Sequence, residues 1–277
     1  MIRLLDAEFT RLKKSKIFRV VCLISIGVAI FMLYMSYKNM KQYNEVIDVA
    51  QLMLNYSTMI GTVIAIFTSL FLGVEYAEGA IRNKISMGHR RTDIYFSNLI
   101  LTISVSLFAY LLFLLMIIVG GFTLFGGITA PIPVLMKVIG CIFLAIIAYS
   151  SLFTFIAMMV TNKTLMAILS IMVVFLLTIG SLSCLNILGT PEFIQTTTIV
   201  NQETGESKIE EMPNPKYPSA KERAFYQTVV DINPAGQMFQ LAGRTVPNLN
   251  LLPLYSIGVV FVFTASGIIL FRKKELK

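Results

Sequence analysis

Residues 94–136 read IYFSNLILTISVSLFAYLLFLLMIIVGGFTLFGGITAPIPVLM, without one Asp, Glu, Lys, Arg or His. A hydrocarbon core of about 30 Å is crossed by roughly 20 apolar residues in an α-helix. This stretch therefore holds one crossing near 94–120 and the opening of another near 135–160. Working outward, further apolar runs fall near 17–37, 56–74, 164–184 and 251–271, with Tyr34, Tyr37, Tyr76, Tyr95 and Tyr255 close to their ends as interfacial anchors. Tryptophan is absent, so tyrosine supplies the aromatic belt alone. The break Thr161-Asn162-Lys163-Thr164 is short, but the combined length of its two flanking runs requires two crossings. A composition of 56% hydrophobic and 14% charged residues is far from the roughly 25% charged of a soluble domain. The fold class expected is an all-α integral membrane protein with six transmembrane helices.

The net charge of +8 does not indicate nucleic acid, because the cations sit in short clusters beside apolar spans and not on one face of a compact domain. Orientation follows from them. With the N-terminus inside, the inner side holds Arg3, Arg11, Lys13, Lys14, Lys16, Arg19, Arg82, Lys84, Arg90, Arg91, Lys163, Arg272, Lys273, Lys274 and Lys277, while the short outer segments hold only Lys38, Lys41 and Lys137. Both termini are expected in the cytoplasm. Residues 1–16 form an amphipathic interfacial helix with Ile2, Leu5, Phe9 and Leu12 at helical spacing and charges between them. A signal peptide competes for this region, but its charged part is long, contains acids, and precedes no Ala-x-Ala-like site, so no cleavage is expected. Cys22, Cys141 and Cys184 have no metal-ligand spacing and read as packing thiols; no metal site is expected.

The domain plan has spans one to five within 17–184, a large extracellular loop at 185–250, and the last span with a basic cytoplasmic tail at 251–277. In the loop, 193–200 and 208–212 flank a polar turn with Gly205 and suggest a hairpin. Pro213, Pro215 and Pro218 mark an extended link, Ser219 and Glu222 make a capping-box pattern, and Asn233-Pro234 opens a second helix. Ala235, Met238, Phe239 and Ala242 share a face of that helix, and Gly243 can end it. Two readings stand for it: a solvated cap, or a re-entrant helix entering the outer leaflet.

Between spans two and three, the segment 75–95 begins with Glu75 and Glu78, is punctuated by Gly79 and Gly88, and carries Arg82, Lys84, His89, Arg90 and Arg91 among Ile81, Ile85 and Met87. Such a mixture suits a short helix that docks a soluble partner, the charges steering the encounter and the apolar residues anchoring it. An ordinary positive-inside loop accounts for the same residues. Glu75 to Arg82 followed by Gly88-His89-Arg90-Arg91 resembles the segment found in permease subunits of ATP-binding-cassette (ABC) exporters of the second type, including those of bacterial antibiotic and lantibiotic systems. In that family the pattern is Glu, three residues, Gly-Thr, an aliphatic residue and a basic one; here Ala80 stands where Thr is commoner. The similarity also takes in the basic start from Arg11 to Lys16, the six spans, the large loop, and Asn233-Pro234 with Gly236-Gln237 before the last span. Residues 193–218 are the least similar part.

The resemblance implies a second permease copy or a related permease, two copies of a cytoplasmic ABC ATPase that carry ATP and Mg, and a place in the bacterial plasma membrane. It also implies export, and coupling through Glu75, Glu78, Gly79, Ile81, Arg82, Lys84, His89, Arg90 and Arg91 with the helix of Leu5, Phe9 and Leu12. No Gly in the chain is followed by Lys, so a phosphate loop ending in Gly-Lys-Ser/Thr is absent and no cofactor or catalytic residue is expected here. No ionisable residue lies deep in a span, which weighs against an ion-coupled carrier, although sites built from hydroxyl and backbone oxygens survive that test. A membrane sensor or scaffold is the other alternative. Thr58, Thr62, Ser104, Ser150, Thr154 and Thr178 lie in the spans. Such hydroxyls commonly bond backbone carbonyls; otherwise they form a weakly polar translocation surface suited to a hydrophobic or amphipathic peptide, antibiotic or lipid.

Overall fold

The computed structural model describes residues 1–44, 46–199 and 207–274. The chain opens with α1 (Ile2–Lys14), which Ser15 ends in extended backbone while its hydroxyl accepts from the Ile17 amide to start α2 (Lys16–Tyr43). After Asn44, Asp48 caps α3 (Val49–Asn55), which runs almost directly into α4 (Ser57–Ala77), and together they make one crossing. Gly79 and Gly88, with φ of 69° and 89°, turn the chain on either side of the short α5 (Ala80–Ser86). A side chain at either φ would be strained. Then come α6 (Arg91–Phe125), α7 (Ile132–Met159) and α8 (Lys163–Leu188), the last capped by Asn162, which accepts from the Thr164 and Leu165 amides.

The expected hairpin exists: β1 (Phe193–Ile199) pairs antiparallel with β2 (Ser207–Pro213), Phe193 opposite Pro213 and Ile199 opposite Ser207. Gly205 lies outside the described residues. The Ser219–Glu222 capping box forms and starts α9 (Ala220–Ile232), and Asn233 caps α10 (Pro234–Gly243) with proline in its first turn. Gly243 is the last residue of the helix, as expected, and Arg244 caps it in the left-handed region at φ 54°. The chain ends on α11 (Leu252–Lys273).

Among the described residues, six helices are long and apolar enough to cross a membrane: α2, α3 with α4, α6, α7, α8 and α11. The protein is an all-α membrane protein. Each crossing overruns its expected span at one end or both; α6 has 35 residues, which at about 1.5 Å each exceeds a hydrocarbon core of about 30 Å. Helix α4 sits centrally, packed on α2, α6, α7 and α8. Tyr56 stacks on Phe113 with centroids 4.4 Å apart and shares a 2.9 Å hydrogen bond with Ser25, and the Tyr110 hydroxyl donates to the Met53 carbonyl. These three polar tips thus find partners, as a site without water demands. Leu23, Leu176 and Phe261 stay largely exposed on α2, α8 and α11, making an apolar outer belt.

Helices α1 and α5 and the last turn of α11 lie at one end of the bundle, here the basic end; α3, α9 and α10 lie at the far end. Helix α10 is largely buried. It is packed against α4, α7, α8 and α9, and beyond the expected Ala235, Met238 and Ala242 it also buries Gln237, Gln240 and Leu241, so one apolar face does not describe it.

Candidate partner-coupling site

At the basic end three elements converge on four charges. Glu8 and Arg11, three apart on α1, share a helical face. Glu75 lies in the last turn of α4, and Lys84 lies on α5 one turn beyond Ile81. Lys84 Nζ is 3.0 Å from Glu75 Oε2 and also pairs with Glu8 Oε1, while Arg11 Nη1 pairs with Glu75 Oε1 and its Nη2 stands 3.6 Å from Glu8. The Arg11 guanidinium also lies over the Phe71 ring, 4.1 Å from its centroid. Glu75 is 0% exposed and Glu8 2%. Two acids and two cations cancel, which is what makes their burial tolerable: a lone buried charge costs several kcal/mol.

This geometry divides the residues expected to dock a partner. Glu75, Ile81 and Lys84 face inward, and Gly79 and His89 are partly covered. Arg91 is occupied at the end of α11, where Nη1 donates to the carbonyls of Phe271 (3.0 Å), Arg272 (3.2 Å) and Lys274 and so satisfies acceptors that the helix end leaves open. Glu78, Arg82, Met87 and Arg90 remain exposed beside Asn83 and Ser86. Next to this surface Lys274 donates to the Met158 carbonyl at 2.8 Å and approaches the Tyr76 hydroxyl, and burial pulls its pKa down to about 8.

On α1, Leu12 is buried and Leu5 and Phe9 are partly covered, but Ile2 is exposed and Leu4 takes the inward place expected of it. Glu8, which the spacing set among the polar residues, is buried. Sequence reasoning missed Glu8 and Arg11 as members of the site. The signal available was an acid and a base three apart on a helix whose neighbouring elements also carry one of each.

The span hydroxyls do not form one surface. Thr58 on α4 bonds the carbonyl of Asn55 at the end of α3, Ser104 bonds the Ile100 carbonyl in its own helix, and Ser150 bonds the Ile146 carbonyl and Ser106 inside the core. Thr154 is buried with Oγ1 unpaired among the described residues, Thr178 is partly covered on α8, and Thr62 is exposed beside α2.

The far end has a polar knot of its own. Asp231, 1% exposed, accepts from Gln227 (2.7 Å), Gln240 (2.9 Å) and Asn248 (3.0 Å), and Asn233 ties α10 to the Leu177 carbonyl and Ser181 of α8. Asp48 meets Arg244 at 2.8 Å; burial pushes its carboxyl up, but hydrogen bonds from Arg244, Thr129 and Ala50 outweigh this and hold it below the usual carboxylate range.

Compared with known families, residues 4–181, more than half of the chain, match the model of a family described as "ABC-2 family transporter protein". The match takes in nearly all of α1, the charge quartet, α5, the first four crossings and most of the fifth. Among curated proteins, no match is found.

Proposed function

The chain belongs to the ABC-2 family of transporter proteins, and we propose that it is the permease subunit of an ABC exporter in the bacterial plasma membrane, with both termini cytoplasmic. ATP and Mg are bound and hydrolysed by a separate ATPase present in two copies, and a second permease completes the membrane unit. The observation that carries this reading is the elbow between α4 and α5, where Glu78, Arg82, Met87 and Arg90 form an exposed charged and apolar rim on a base tied to α1 and α4. A displacement of that rim moves α4, the central helix, and not merely a loop. The absence of any Gly-Lys pair in the sequence supports an ATPase in another polypeptide. The apolar character of the spans favours a hydrophobic or amphipathic cargo, a peptide, antibiotic or lipid, over ions or sugars, whose hydration shells nothing here replaces.

Copurification with an ATPase encoded beside this chain, and ATP hydrolysis by the pair but not by the purified chain alone, test the reading. Glu78→Gln with Arg82→Ala is expected to weaken the association more than tenfold, since a charge covered on docking costs about 2–5 kcal/mol when its partner is removed. Glu211→Gln with Lys216→Ala, at the far end, leaves it unchanged. ATP hydrolysis by partner-free protein, or normal association of the 78/82 variant, overturns the assignment.

A further inference from the structure

A groove of about 400 Å³ runs along the seam of α2 and α4, walled by side chains such as Ile24 and Val28 on one side and Met59 and Ile66 on the other, with Lys16 at its basic end. From Lys16 to Val28 helix α2 rises about 18 Å at roughly 1.5 Å per residue, close to the depth of one leaflet of a core of about 30 Å. Ile17 also borders a second concavity, lined by Arg11, Lys14, Ser15 and Glu78. Its charge is unequal. Arg11 is committed to the quartet, but Lys14 and Lys16 are exposed and enter no ion pair among the described residues, with Glu78 the one acid on the lining. The first turn of the 28-residue α2 begins here too, and its dipole favours an anion.

We propose that this seam binds one anionic glycerophospholipid of the bilayer, an acyl chain lying in the α2–α4 groove and the phosphate held between Lys14 and Lys16. The apolar wall accepts a chain and nothing polar along most of its length, and the cations stand where a headgroup emerges from that chain. Bound there, the lipid fills the gap between α2 and α4 and braces the α1–α2 corner beside the charge quartet. This ligand is structural and distinct from cargo, so its binding requires neither the ATPase nor ATP.

The full chain in neutral detergent is titrated with dioleoyl phosphatidylglycerol and, separately, with dioleoyl phosphatidylcholine, and binding is read by native mass spectrometry and thermal unfolding. Phosphatidylglycerol is expected to bind roughly tenfold tighter. Lys14→Gln with Lys16→Gln removes that preference, and Thr62→Phe, which fills the groove, weakens both lipids. Lys13→Gln with Arg19→Gln, an equal loss of charge at neighbouring exposed positions, leaves the preference intact. Equal affinity for the two lipids, or equal losses from the two charge pairs, overturns the proposal. So does a mass showing a second copy of the chain in the groove, released by Thr62→Phe with no lipid bound.

Discussion

Glu75 is a carboxylate with no contact to water, so its neighbours set its energetics. Removing it leaves Lys84 and Arg11 sharing Glu8 alone. Glu75→Ala is expected to cost about 3–5 kcal/mol of stability, seen as a lower unfolding temperature in detergent. Replacing Glu75 by Leu together with Lys84 by Met leaves the neutral Glu8–Arg11 pair and restores most of the loss. A Glu75→Ala protein as stable as the parent would contradict the buried quartet. At the far end Asp48 gives a pH signature. Its folded pKa lies below its unfolded one, so its contribution is complete above the ordinary carboxylate range and fades as pH falls through the depressed folded value. Asp48→Asn should therefore flatten the acid side of the stability profile and change little near neutrality beyond the lost Arg244 pair.

At the scale of elements, the corner between α9 and α10 depends on an absent side chain. A Cβ on Gly236 would meet the Val230 carbonyl oxygen, and Val230 Cα at 2.9 Å. Backbone cannot yield as a flexible side chain does. Gly236→Ala should therefore push α10 away from α9 and break the bond from the Gln237 side-chain Nε2 to the Asp231 carbonyl, now 2.7 Å. The expected readout is faster amide exchange across 231–243, with exchange in α5 unaltered. Gly140, where a Cβ meets nothing within 4 Å, is the matched control. Exchange unchanged by Gly236→Ala would show that the corner has room to spare.

For the whole molecule, opposite ends should label from opposite sides of the membrane. In intact cells Lys216→Cys, between β2 and α9, is expected to react with an impermeant maleimide, while Ser86→Cys at the end of α5 reacts only after permeabilisation. Both positions are exposed, so access and not packing decides the result. The reverse pattern would invert the orientation and with it the side on which the proposed ATPase docks.

The six crossings were legible because each is a run of apolar residues longer than a bilayer is thick, a property that belongs to the segment itself. Local chemistry likewise announced the Ser219 capping box, the Asn233-Pro234 helix start and the glycine turns around α5: a cap or a positive φ involves residues within four of one another. The charge quartet was out of reach of such reasoning. Glu8 and Glu75 are separated along the chain by two complete helices, and only packing decides that an acid on an amphipathic face turns inward to meet Lys84. The same holds for α10, whose Gln237 and Gln240 look solvent-bound in sequence yet are buried because Ser256 and Asp231 wait for them. Hydropathy is a sum over neighbours in the chain and fixes what crosses the membrane. Charge pairing is a sum over neighbours in space, and it fixes which of the charged residues hold the bundle together and which are left facing outward.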